Sequence, residues 1–173
     1  NFYTTNNGAS WQAVNNGLPN TNVKQLGVNG SNVFLSLFFG GVYKTTDNGA
    51  LWTAAKSGLP SNPDVRAFSS NGTNIAVGIS YVGVYLSTNN GSSWIVKNNG
   101  LTNLQITALT YNGSDIFAGT ANSGAFLSTN NGDSWTPVNN GLTGQQIYAF
   151  VKNNLSVFAA TNAGVFRSDN NGS

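Results

Sequence analysis

The sequence predicts an all-β protein, a β-propeller built from four-stranded antiparallel blades with a period of about 41 residues. Three observations carry that prediction. Four tryptophans, Trp11, Trp52, Trp94 and Trp135, stand 41, 42 and 41 residues apart, each closing nearly the same phrase. A fixed period of this length marks a repeat architecture. Between the tryptophans lie short apolar runs, rich in Val, Ile, Phe, Tyr and Thr and separated by Asn-Gly pairs, the pattern of strands joined by hairpins. Turn signals return too often to leave room for a helix.

The third unit justifies each element in order. Residues 83–86 (Gly-Val-Tyr-Leu) are a short apolar run, 88–91 (Thr-Asn-Asn-Gly) a turn, 93–96 a second run and 98–101 a loop. Residues 106–111 are a third run, Asn112-Gly113 a tight turn, and 115–119 a fourth run. Asn and Gly tolerate the positive φ that both central positions of a two-residue hairpin require. Such a unit buries little alone and must stack on neighbours. Runs such as Ile116-Phe117-Ala118 and Val157-Phe158-Ala159-Ala160 do not alternate strictly, as expected of strands covered on both faces.

The innermost strands are expected at 23–28, 65–70, 106–111 and 147–152. Ala67, Ala108 and Ala149 recur there, where strands converge on the axis, with Gln25 the exception. A β-helix with two coils per unit is the alternative fold, disfavoured by the hairpin turns. The units fall near 1–40, 41–82, 83–123 and 124–163, with a partial copy at 164–173: one repeat domain of about four blades. Both ends carry a copy of the third strand, Phe2-Tyr3 and Val165-Phe166, one too many for a four-blade ring. The expectation is therefore a segment of a longer array.

Charge is scarce, 7% against a typical ~25%. There is no Cys, Met, His or Glu, and polarity comes from 29 Asn with Ser, Thr and Gly. A net charge of +2, spread along the chain, is not the clustered footprint of a nucleic-acid binder. No stretch approaches the ~18 apolar residues of a membrane span, so no membrane insertion is expected.

The repeated phrase is Ser/Thr-x-Asp/Asn-x-Gly-x-x-Trp. Its first copy is Thr4, Asn6, Gly8 and Trp11, and its second is Thr45, Asp47, Gly49 and Trp52. The third is Ser87, Asn89, Gly91 and Trp94, and the fourth is Ser128, Asn130, Gly132 and Trp135. A fifth copy, Ser168, Asn170 and Gly172, lacks the tryptophan. This phrase resembles the Asp-box, or bacterial neuraminidase repeat, and the resemblance runs the length of the chain. It is similar to the boxes of sortilin-like and photosystem II assembly factor-like propellers. The resemblance implies a hairpin turn between the third and fourth strands of each blade, on the outer rim away from any ligand. Physics agrees: the Asx side chain closes the turn on local backbone, Gly supplies positive φ, and the ring packs on the blade. These residues are expected to be structural.

The family's enzymes set requirements that this chain does not meet. Sialidases need an arginine triad and a Tyr/Glu pair; here there are only Arg66 and Arg167 and no Glu. Xyloglucan-type glycosidases need two carboxylates a defined distance apart. Asp47, Asp133 and Asp169 lie in or beside the boxes and Asp115 starts a strand, leaving Asp64 alone in a loop that enters an inner strand. Triads lack His and Cys, and zinc or calcium sites lack ligands. No enzymatic activity and no cofactor are expected.

Binding and assembly remain. Loops between blades, and those between second and third strands, build a propeller's recognition face. Phe39 and Tyr81 break the polar pattern of their counterparts there, and either can stack on a sugar ring or anchor a protein. Arg66 shares a repeat column with Lys24 and Tyr148, and Asp64 precedes it. Sequons at Asn29, Asn71, Asn112 and Asn154 read as hairpin chemistry, since Asn-Gly-Ser/Thr is good turn sequence. The leading expectation is a non-catalytic structural, assembly or adhesive protein, in a surface array or filament, with protein partners or self-association. The alternative is a discrete glycan- or protein-binding module. Resemblance to the box-bearing proteins implies a secreted or cell-surface location.

Overall fold

The structure is a computed structural model that describes residues 2–153 and 156–172; the sequon at Asn154 lies outside the described residues. Among the described residues seventeen strands follow one another. β1 (Phe2–Tyr3) and β2 (Gln12–Ala13) form a small pair. Three full sheets come next: β3 (Val23–Asn29), β4 (Asn32–Leu37), β5 (Gly41–Thr45) and β6 (Thr53–Ala54); β7 (Val65–Ser70), β8 (Ile75–Ile79), β9 (Gly83–Ser87) and β10 (Ile95–Val96); β11 (Ile106–Asn112), β12 (Asp115–Thr120), β13 (Ala125–Ser128) and β14 (Thr136–Pro137). The last sheet has three strands, β15 (Ile147–Lys152), β16 (Val157–Thr161) and β17 (Gly164–Ser168).

All pairings are antiparallel between sequence neighbours, so each sheet is a meander. That pattern excludes the parallel coils of a β-helix. The innermost strands stand side by side around the axis: the Ser70 hydroxyl donates to the Val28 carbonyl (2.5 Å), and the Tyr111 N–H to Ser69 Oγ (3.0 Å). The sheets form an open arc and do not close into a ring.

The core lies between blades. Phe34 of one blade meets Phe68 of the next, rings 5.7 Å apart, and Phe117 meets Phe150 at 6.0 Å. One apolar cluster gathers Val42, Ile75, Val77 and Trp94; a second gathers Val84, Ile106, Phe126 and Trp135. Fully burying such side chains contributes ~1.5–3 kcal/mol each, and this is why β8, apolar at every position from Ile75 to Ile79, is buried throughout.

The repeated phrase forms the turn joining third and fourth strands. In the second full sheet the Ser87 hydroxyl donates to Asn89 Oδ1 (2.9 Å), while Gly91 N–H donates to Ser87 Oγ (2.9 Å) and Ser93 N–H to Asn89 Oδ1 (2.9 Å). The other copies close in the same way. The N–H groups of Gly8 and Gly49 donate to Thr4 and Thr45 Oγ1, both at 3.0 Å. Those of Gly132 and Gly172 donate to Ser128 and Ser168 Oγ at 2.8 and 2.6 Å. In the last copy the Ser168 hydroxyl donates to Asn170 Oδ1 (2.9 Å), so the turn forms there without its tryptophan. Gly8, Gly49, Gly132 and Gly172 take φ of 88°, 91°, 79° and 83°, the left-handed backbone that only glycine adopts freely.

Asn89 Nδ2 also donates to Ser93 Oγ (2.8 Å), and Asn6 and Asn130 do the same to Ser10 and Ser134. The single Asp, Asp47, occurs where that partner is Leu51, which has no hydroxyl to accept an amide proton. Asn or Asp is thus matched to the residue four places on.

Two further bonds tie each turn to the preceding unit. The indole N–H of Trp52, Trp94 and Trp135 donates to the carbonyls of Val14, Ala55 and Lys97 at 3.0, 2.8 and 2.9 Å. Their backbone N–H groups donate to the carbonyls of Asn16, Ser57 and Asn99, each at 2.9 Å. This close approach explains the glycine of the following loop. A Cβ at Gly17, Gly58 or Gly100 would stand 2.2–2.3 Å from the carbonyl oxygen of Trp52, Trp94 or Trp135. The second Asn of the phrase also reaches back: Asn29, Asn74 and Asn112 donate to Asn90, Asn131 and Asn171 at 3.2, 3.1 and 3.0 Å. Asn29 and Asn112 are therefore held by neighbouring blades.

Candidate functional site

Each innermost strand carries a β-bulge at the same place, between Val23 and Gln25, Val65 and Ala67, Ile106 and Ala108, and Ile147 and Ala149. The extra residues are Lys24, Arg66, Thr107 and Tyr148. A bulge leaves its residue out of the ladder and re-aims the side chain. Three of the four, Arg66, Thr107 and Tyr148, line one cleft of about 340 Å³ together with Gln25, Ser80, Tyr81, Gln105 and Ile106. Along the inner strands it continues into a hollow of about 200 Å³ floored by Ala67, Ala108 and Ala149. Small residues at the converging strands leave that space open, and Gln25 fills the fourth position.

Arg66 is fixed by Asp64: its Nε and Nη2 both lie 2.7 Å from Asp64 Oδ2. An exposed pair of this kind adds little stability, but it holds a planar fork whose remaining donors are unspent. The pair is formally neutral. Beside it, Tyr148 donates to Gln146 Oε1 at 3.3 Å. Tyr81 is 75% exposed and stands in the left-handed region with φ 61°. Such a backbone is an outlier for a bulky residue, and strain of this kind clusters at functional positions.

The structure therefore brings Tyr81 and Arg66 into one cleft and makes Asp64 the residue that positions Arg66. Phe39 occupies the equivalent hairpin one blade earlier, also left-handed (φ 51°), but lies outside the cleft. Its ring packs tilted at 58° against Phe38, centroids 4.2 Å apart, and Lys24 Nζ sits 4.4 Å over the Phe38 ring. That draws Lys24, the bulge residue of its strand, away from the cleft. The residues of the repeated phrase, Thr45, Ser87 and Ser128 among them, sit in the turns of the third and fourth strands and none lines the cleft.

Gln105 and Ser80 were not singled out by the sequence reading, whereas Tyr148 was placed there in one repeat column with Arg66. The observed ladders give that column its form, since Tyr148 repeats Arg66 at the bulge. Chemically the cleft offers rings, amides and one guanidinium. No carboxylate other than the paired Asp64 stands near it, and no cluster of three metal-ligating side chains exists among the described residues. No helix among them is long and apolar enough to cross a membrane.

No family model matches the chain, and no curated protein matches it. Solved structures do. The GH74 enzyme of Niastella koreensis aligns with a TM-score of 0.71 at 21% identity, over 99% of this chain and 27% of that one. YCF48 from Cyanidioschyzon merolae aligns at 0.66 and 19% identity, over 92% and 56%. YCF48 bound to a D1 peptide aligns at 0.69 and 14%, over 99% and 58%. The extracellular domain of the hybrid two component system BT4673 from B. thetaiotaomicron aligns at 0.75 and 15%, over 94% and 23%. The chain thus spans between about a quarter and somewhat over half of these proteins. The likeness is one of fold: all-β blades of the propeller kind.

Proposed function

We propose that this chain is a non-catalytic binding array whose cleft takes an extended polypeptide segment of a protein partner. The observation that carries the reading is Tyr81, strained and exposed beside the guanidinium that Asp64 fixes. Aromatic rings and Arg are the residues most enriched at protein-binding hot spots. Planar amides at Gln25 and Gln105 match the donors and acceptors of a peptide backbone. The neutral Arg66–Asp64 pair suits an uncharged main chain better than a phosphate. That YCF48 has been solved with a D1 peptide lends the reading support by analogy of fold. A single paired carboxylate gives no acid–base couple for glycoside hydrolysis. We place the protein at the cell surface or outside the cell, in keeping with its Asp-box phrases.

Panning random displayed peptides against the chain tests this. Selected peptides should lose roughly tenfold or more in affinity with Tyr81→Ala and with Arg66→Ala. Peptides that bind both variants unchanged would remove the site, a glycan array hit lost in both variants would replace peptide by sugar, and reducing sugar released from a β-glucan would end the non-catalytic reading. The second reading, a structural or adhesive array, is favoured by the low charge and Asn-rich surface, which offer little repulsion between molecules.

A further inference from the structure

Eleven Asn-Gly pairs run through the chain, and Asn-Gly is the dipeptide most prone to react with itself. The backbone nitrogen of Gly can bond to the side-chain carbon of Asn, because no Cβ shields it. The fold disarms the pair in three ways. In the repeated phrase, after Asn48, Asn90 and Asn131, the attacking nitrogen is occupied. The N–H groups of Gly49, Gly91 and Gly132 donate to Thr45, Ser87 and Ser128, and all three glycines are buried. Between blades, the Asn99 amide is anchored on the Asp133 carbonyl (3.3 Å). In the first hairpins, Asn29 and Asn112 turn theirs across to Asn90 and Asn171.

Asn71 escapes all three. The hairpins share one pattern: Asn29-Gly-Ser-Asn32, Asn71-Gly-Thr-Asn74 and Asn112-Gly-Ser-Asp115. Between β7 and β8, however, the fourth residue makes the bond across blades, Asn74 Nδ2 donating to Asn131 Oδ1 (3.1 Å). β7 stops at Ser70, and Asn71, Gly72 and Thr73 all stand exposed. Asn71 Nδ2 and the Gly72 N–H bond to nothing among the described residues, and a Cβ at Gly72 would meet nothing within 4 Å. Meanwhile Asn71 Oδ1 accepts two backbone N–H groups, from Thr73 (3.1 Å) and Asn74 (2.8 Å). Two amide donors at such distances are what stabilise an oxygen that gains charge during acyl transfer.

We propose that Asn71–Gly72 is a self-modification site, which passes through a cyclic imide to aspartate or isoaspartate while the protein stays folded. Hydroxide removes the Gly72 amide proton, and the nitrogen bonds to Asn71 Cγ. Negative charge moves onto Oδ1, where the Thr73 and Asn74 N–H groups hold it. As the charge returns, the Cγ–Nδ2 bond breaks and Nδ2 leaves as ammonia with a proton from water. Water then opens the ring. Breaking the new Cγ–N bond gives aspartate, and breaking the original peptide bond gives isoaspartate, with one more methylene in the backbone. Ammonia is exchanged for water, and nothing is oxidised or reduced. Either product adds a negative charge at the end of β7 remote from Arg66, lowering the formal net charge of +2 by one. The site does not depend on the cleft.

Holding the folded chain at mildly alkaline pH, with peptide mapping by mass spectrometry at intervals, tests this. Asn71 should convert roughly tenfold or more ahead of Asn29, Asn90, Asn99 and Asn131, and isoaspartyl methyltransferase should label its peptide. In denaturant, where every pair is equally free, that lead should vanish. Gly72→Asn keeps a residue that tolerates left-handed backbone but shields the nitrogen, and should slow conversion by a similar factor. A folded chain in which Asn90 or Asn131 converts first overturns the inference. So does equal conversion at all these positions, or an unchanged rate in Gly72→Asn, since the amide would then be lost by direct hydrolysis.

Discussion

The indole nitrogen of Trp94 donates to the backbone carbonyl of Ala55, 2.8 Å away and one blade earlier. Both groups are buried, so neither has a substitute partner in water. Trp94→Phe should keep most of the packing and strand that carbonyl, destabilising the chain by about 1–3 kcal/mol. Trp94→Ala should cost about 3–5 kcal/mol. Trp11→Ala, in a dilute single chain, should stay within about 0.5 kcal/mol because that ring is exposed. Urea unfolding of the three variants ranks them; a costly Trp11→Ala at high dilution would contradict the exposed placement.

Gly100 and Gly141 occupy the same repeat position with different surroundings. Gly100→Ala drives a Cβ to 2.2 Å from the Trp135 carbonyl and also meets a left-handed backbone, φ 92°. Gly141→Ala faces only the backbone term, φ 73°, about 1–2 kcal/mol. The expected result is a much larger drop in melting temperature for Gly100→Ala, seen by calorimetry on the pair.

Tyr81→Asn separates strain from binding. Asn tolerates the left-handed conformation, so the variant should be more stable than the parent by about 1 kcal/mol while losing cleft affinity. A loss of stability would mean the ring packs usefully where it stands.

The Asp47 carboxyl is held below its ordinary value of 3.8, first by the Thr45 hydroxyl and then by the Leu51 N–H. A depressed folded value means stability present above pH ~3.8 and lost as pH falls through the lower folded value. Asp47→Asn, the residue found in the other copies, should flatten that acid limb and leave neutral stability nearly unchanged. An acid melting curve identical to the parent's would count against the turn as its source.

Much of this was legible in the sequence because it is local. Asn-Gly pairs and the 41-residue period mark the hairpins, and the inner strands at 23–28, 65–70, 106–111 and 147–152 match the observed ones to within a residue. Antiparallel sheets and the all-β class follow from the same signals. What the sequence hid is what crosses between units. The indole-to-carbonyl bonds, the Asn29–Asn90 series and the meeting of Tyr81 with the column of Arg66 and Tyr148 join residues far apart in the chain. The bulge at Arg66 leaves no composition signal, only a register that the folded strands reveal. Phe39 and Tyr81 look equivalent in the repeat, yet Phe38 captures one ring and leaves the other beside the cleft.

The tryptophan bonds all point the same way. Trp52, Trp94 and Trp135 reach acceptors 38 or 39 residues earlier in the chain. During synthesis, then, every docking place leaves the ribosome before the ring that fills it. Blades can settle one after another as they emerge, each arriving tryptophan locking onto a platform already made. A stalled or truncated chain would keep its finished blades in order, and the newest blade alone would wait for its lock.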